Sequence, residues 1–175
     1  MKNKSIFLML GVLIVFGLTG CGLENIFNLQ TDSASTQAKK LPEMVINEPF
    51  LVTTVIGDYS VAINGARKTA KRSADTDVNP KQVIFLDYTY NNISYQKKYD
   101  MDFFLAQGDF VVVDDKGNNL EAYNIKDPNR MIQETPIGGS CSASIAYALE
   151  TDSKTLTVTF VRGKNEIAEI TVPIT

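Results

Sequence analysis

Two thiols stand out among the side chains of this chain that could do chemistry. Cys21 closes the box Leu18-Thr19-Gly20-Cys21 at the end of an apolar run. Thr19 and Gly20 are small enough to admit a peptidase immediately before a thiol that takes a thioether-linked diacylglyceryl group. Gly20 and Cys21 then flank the cut, and Cys21 is the lipidated first residue of what remains. Cys141 has no such context. It shares strand parity with Ala143, Ile145, Tyr147 and Leu149, so it is expected to face a core, where a free thiol packs as a small hydrophobe. The chain has no histidine, so the commonest general base and the commonest metal ligand are both missing. No nucleophile therefore has an obvious activator.

The carboxylates are the other reactive class. Asp75 and Asp77, Asp100 and Asp102, and Asp114 and Asp115 come in close pairs. Paired carboxylates can hydrolyse a glycosidic bond, which makes an enzyme acting on an envelope polymer the alternative to a non-catalytic protein. Calcium needs six to eight oxygens, and Asp114-Asp115-Lys116-Gly117-Asn118-Asn119 places a lysine among them. It reads instead as an ordinary turn. No metal site and no cofactor is expected. Asn92-Ile93-Ser94 fits a glycosylation sequon and is assigned no role.

One group of cations interrupts the acidic composition. Arg67, Lys68, Lys71 and Arg72 fall within six residues, at the start of a polar stretch running to Pro80. They form a candidate anion-binding loop for lipid headgroups or wall polymers, set against the plainer reading of a solvated loop. Lys97-Lys98 offers the same idea with less charge. The whole chain carries 17 basic and 20 acidic residues. Without Lys2 and Lys4, the balance becomes 15 to 20, which argues against nucleic acid as a partner.

The elements that must carry these residues fall into three parts. Residues 1–20 read as a lipoprotein signal peptide: Lys2 and Lys4 supply a positive start, and Ile6 to Leu18 is an apolar run of about 13 residues, short of the roughly 20 a spanning helix needs. Leu13 to Gly20 also resembles the apolar octapeptides of lipoprotein-derived pheromones. Residues 21–49 read as the lipidated cysteine and a flexible linker, whose small polar stretch Thr31 to Lys40 suits a tether. About 25 such residues reach some 25–30 Å. Leu23, Ile26 and Phe27 sit at helical spacing and could form one interfacial turn. The expected location is the extracytoplasmic face of a bacterial cell membrane, held by the lipid on Cys21.

Residues 50–175 read as strands throughout. Phe50 to Ile56, Tyr59 to Ala66, Val83 to Tyr90, Met101 to Ala106, Phe110 to Asp114, Leu120 to Asn124, Ser140 to Glu150, Thr155 to Arg162 and Glu166 to Ile174 alternate or are β-branched, with glycine turns between several of them. In Val83 to Tyr90, the side chains of Ile84, Leu86, Tyr88 and Tyr90 share one face. This spacing predicts an all-β fold, an antiparallel β-sandwich of seven to eight strands.

The chain resembles the small Gram-positive lipoproteins that carry an immunoglobulin-like domain of unknown function, relatives of a secreted mycobacterial antigen domain. The likeness covers about residues 50–175 and rests on several stretches, in addition to the lipobox and the polar tether. These are Gly57-Asp58-Tyr59-Ser60-Val61-Ala62-Ile63, Val83-Ile84-Phe85-Leu86-Asp87-Tyr88-Thr89-Tyr90-Asn91, Phe110 to Gly117, and Ile137-Gly138-Gly139-Ser140. It implies an immunoglobulin-like sandwich and brings no catalytic residues. The cysteine pair and core tryptophan of disulfide-bearing immunoglobulin domains are both missing here. The function expected from the whole is a surface binding or interaction module, with an envelope polymer or protein as partner.

Overall fold

The computed structural model describes residues 40–76, 79–96 and 100–175. Among them lie seven strands and one 3-10 turn, in chain order β1 (Phe50–Thr54), β2 (Gly57–Thr69), β3 (Gln82–Asn92), the turn Gln107–Asp109, β4 (Phe110–Asp114), β5 (Ser140–Leu149), β6 (Thr155–Arg162) and β7 (Asn165–Pro173). They pair antiparallel as two sheets, β1-β2-β3-β5 and β4-β6-β7. The fold is an immunoglobulin-like β-sandwich.

The alternation of β3 sets the core. Ile84, Leu86, Tyr88 and Tyr90 are buried between the sheets against Val112 of β4, Leu156, Val158 and Phe160 of β6, and Ala168, Ile170 and Val172 of β7. With no tryptophan or disulfide, aromatic rings fill the space. Tyr59 lies 4.5 Å from Phe103 and Tyr88 lies 4.9 Å from Phe110, centroid to centroid. Two buried tyrosine hydroxyls also hold irregular chain in place. Tyr88 donates to Leu105 O at 2.8 Å, and Tyr90 donates to Gln133 O.

Two expected strands do not form ladders. Residues 101–106 and 120–124 make only isolated bridges, Phe103 to Thr135 and Ala122 to Tyr147. Their apolar alternation is used in packing instead: Phe103 and Leu105 plug the core, while Tyr123 covers the far side of β3. The folded chain also reaches back before Phe50, into residues assigned to the linker by their sequence. Met44 is 4% exposed, and the backbone of Pro42 to Met44 bonds both the N–H and C=O of Glu169 in β7.

A bulge in β2 decides which residues face outward. Ile63 pairs with Tyr88 but Gly65 pairs with Asp87, leaving Asn64 as the extra residue. Gly65 sits at φ +153° there. A strand without the insertion would carry Arg67 on the same face as Ile63. With it, Ala66 takes the core position opposite Leu86, and Arg67 lies opposite Phe85 on the outer face. The β1–β2 turn needs glycine for a different reason. Gly57 holds φ +125°, and a Cβ on it would meet Ser94 O at 2.1 Å.

Candidate functional site

The basic group divides into one engaged cation and three exposed ones. Arg67 and Lys68 belong to β2 and not to a loop. Arg67 lies over the Phe85 ring, 4.6 Å from its centroid, and its Nε donates to Asp87 Oδ2 at 2.8 Å. Its Nη2 donates to Asp127. Asp87, almost buried, also accepts from Ser144 Oγ at 2.5 Å. Asp127 caps its own turn by accepting from the Asn129 N–H, which with the Arg67 charge holds its carboxyl below the usual range. Burial works against the Arg67 charge, yet the two aspartates more than offset it and raise its pKa. Arg67 is thus a structural clamp between the outer sheet face and the 122–130 segment, and contributes little free positive potential.

Lys68, Lys71 and Arg72 are exposed. Lys71 N–H bonds Thr69 Oγ1 at 3.1 Å. Arg72 Nη1 turns back to the carbonyls of Thr69 and Lys71, at 3.2 and 3.0 Å. Three cations therefore remain at the end of β2, on a surface whose electrostatics are screened by salt within about 8–10 Å. They can attract an anion electrostatically.

Cys141, Asp114, Asp115 and Asp75, singled out from the sequence, are engaged in structure. Cys141 is a buried free thiol with Sγ 3.5 Å from Met131 O. Asp114 is buried, which alone would raise its pKa. Hydrogen bonds from the Asn118 side chain, Thr151 Oγ1 and the N–H groups of Asn118 and Lys116 outweigh that and hold its carboxyl far below the ordinary range. A carboxylate facing only donors is the center of a turn, with nothing left for a cation. Asp115 pairs with Lys116 at 3.3 Å, and Asp75 accepts from Asn124 Nδ2. Asp77 and Lys97-Lys98 lie outside the described residues, as do Gly20 and Cys21. No cluster of three metal-ligating side chains occurs among the described residues. Nor is any helix among them long and apolar enough to cross a membrane. Asn92 of the sequon is 1% exposed, and its amide bonds Tyr95 O and Thr135 O. It is a core linchpin.

A second charged feature has no signature in the sequence. Arg162 Nη1 bonds Asp109 Oδ1 at 2.6 Å, and the guanidinium lies 5.5 and 5.8 Å from the ring centroids of Tyr59 and Phe103. A cleft of about 270 Å³ opens beside it, lined by Tyr95, Phe103, Phe104, Asp102, Asp109 and Arg162. Burial pushes the Tyr59 hydroxyl up to about 12, with Arg162 pulling the other way. Arg162 and Asp109 are 53 residues apart, so only the tertiary fold brings them together.

No family model matches this chain, and no match is found among curated proteins. Among solved structures, it is similar to a secreted protein from Mycobacterium tuberculosis, MPT63, with a TM-score of 0.58 at 14% identity. The match covers 76% of this chain and 98% of that one. At such identity it shows a shared β-sandwich fold, which agrees with the fold implied by the antigen-domain part of the resemblance.

Proposed function

We propose that this chain is an extracytoplasmic lipoprotein, anchored to the membrane through a lipid on Cys21, whose sandwich works by binding an envelope polymer or protein. The observation that supports the binding half is the engagement of two candidate reactive groups: Cys141 is buried in a chain without histidine, and Asp114 is fixed by its own turn. The anchoring half is supported by the box Leu18 to Cys21 behind a basic, then apolar, leader. Two acyl chains at ~0.8 kcal/mol per buried methylene give a firm hold where one does not. Replacing Cys21 with alanine should abolish metabolic labelling by palmitate. Labelling as strong as the parent's would end the anchoring proposal.

One observation favours hydrolysis as a second reading. Asp102 and Asp109 both line the Arg162 cleft, and a pair of carboxylates facing one cleft is the minimum for glycosidic chemistry. Purified protein that releases soluble sugar from cell-wall polymer, and loses that activity in Asp102→Asn, would favour this reading over binding alone.

A further inference from the structure

Buried polar groups in folded proteins are almost always hydrogen-bonded, and an exception needs a reason. Tyr88 and Tyr90 of β3 donate their hydroxyls to backbone carbonyls. Tyr147 of β5 shares the inter-sheet core with them and is 2% exposed, yet its hydroxyl is buried without a hydrogen-bond partner. The Tyr59 hydroxyl and the Gln82 amide are in the same position. Of these residues, Tyr147 also lines a cavity.

That cavity, of about 390 Å³, lies where β5, the edge of one sheet, meets β4, the edge of the other. Tyr147 and Phe110 are buried and form its inner end, Leu120 is half-buried, and Gln107, Gly108 and Glu121 are exposed at its mouth. A water takes up about 30 Å³ in the liquid, so a single water would leave most of the space unfilled. Burial alone pushes the Tyr147 hydroxyl well above its ordinary pKa, so it stays protonated and can donate. The inner end thus offers one neutral hydroxyl beside an aromatic ring, with no charged group at that depth.

From this geometry we infer that the seam between β4 and β5 is a binding site for a small uncharged molecule, an apolar ring or chain that leads with one hydroxyl or carbonyl oxygen. The oxygen meets the Tyr147 hydroxyl, and the apolar body lies against Phe110 and Leu120. A few placed polar groups in a mostly apolar concavity are what small-molecule sites share. A charged head at that depth would exchange its hydration for one neutral hydroxyl, which is unfavourable. A sugar would bring several hydroxyls to a single partner and leave the others unpaired. The site is separate from the Arg162 cleft, from Cys21 and from the basic end of β2, so it stands or falls apart from the envelope-binding reading.

The test titrates the full chain with benzyl alcohol and follows the backbone amide signals of residues 107–110 and 120–122 by NMR. Toluene (the ring alone), benzoate (an anionic head) and glucose (a polyol) are the controls. Benzyl alcohol should shift those signals saturably, with a Kd at least about tenfold below that of any control. Tyr147→Phe removes an unpaired buried hydroxyl, so it should melt at or above the parent's temperature and raise the Kd of benzyl alcohol to that of toluene. A Cβ on Gly108 meets nothing within 4 Å, so Gly108→Phe should fold like the parent and, by filling the mouth, weaken benzyl alcohol at least about tenfold. No saturable shift, a control that binds as tightly as benzyl alcohol, or unchanged binding by Gly108→Phe would overturn the proposal. So would a lower melting temperature in Tyr147→Phe, which would mean that the hydroxyl already has a partner, an ordered water included.

Discussion

Arg67 donates from Nε to Asp87 Oδ2 at 2.8 Å because a single extra residue in β2, Asn64, turns Arg67 out of the core and onto the face where Asp87 stands. Deleting Asn64 should rotate Ala66 and Arg67 to the wrong faces and bury a guanidinium opposite the second sheet. The expected outcome is loss of cooperative folding, checked by thermal melting; a deletion variant that melts like the parent would show that the bulge does not set the register.

The same clamp separates structure from anion binding. Arg67→Gln should lower the melting temperature and leave retention by anionic vesicles nearly unchanged. Charge reversal of Lys68, Lys71 and Arg72 together should leave the melt within a few degrees and weaken retention in a salt-dependent way. Equal loss of retention in both variants would return Arg67 to the binding surface.

Asp114 gives a pH test with a defined sign. Its folded pKa lies below the unfolded value of about 3.9, so its stabilisation is complete above that pH and is lost as pH falls through the folded value. Asp114→Asn points an amide at donors from Asn118 and Thr151, and should destabilise by about 1–3 kcal/mol near neutrality. The gap between parent and variant should narrow only below about pH 4. A gap that is constant down to strong acid would mean the charge is not what the turn recognises.

Cys141 should react slowly with a thiol reagent under native conditions, at the rate of global or local opening, because the residue is 7% exposed and its thiol lies beside Met131. Rapid native labelling of the Cys141 peptide, scored by mass spectrometry, would contradict its placement. Tyr88→Phe, which strands the buried Leu105 carbonyl, should cost about 1–3 kcal/mol in denaturant unfolding.

The sandwich was legible because its strands announce themselves locally. Phe110 to Asp114 and Thr155 to Arg162 are bounded as their alternation and the Gly117 and Gly163 turns imply, both glycines holding positive φ. The parity that buries Cys141 was readable for the same reason. What escaped depends on distant chain. Residues 101–106 alternate like a strand, yet a ladder needs a neighbour, and Phe103 finds only Thr135. Arg67 looked like free charge because Asp127 lies 60 residues away, and the Arg162–Asp109 pair was invisible on the same account.

The short run that lays Met44 against β7 also fixes how the domain bears a mechanical load. Tension entering from the Lys40 side meets first the two hydrogen bonds between residues 42–44 and Glu169, with the Met44 side chain seated in the core behind them. Beyond them, Glu48 N–H closes a turn onto Val45 O, and Asn47 N–H bonds Ile63 O on the other sheet. Pulling from the N-terminal side is thus met first on one sheet and then on the other before any strand of the ladder is strained, and residues 42–47 act as the strain relief of the fold.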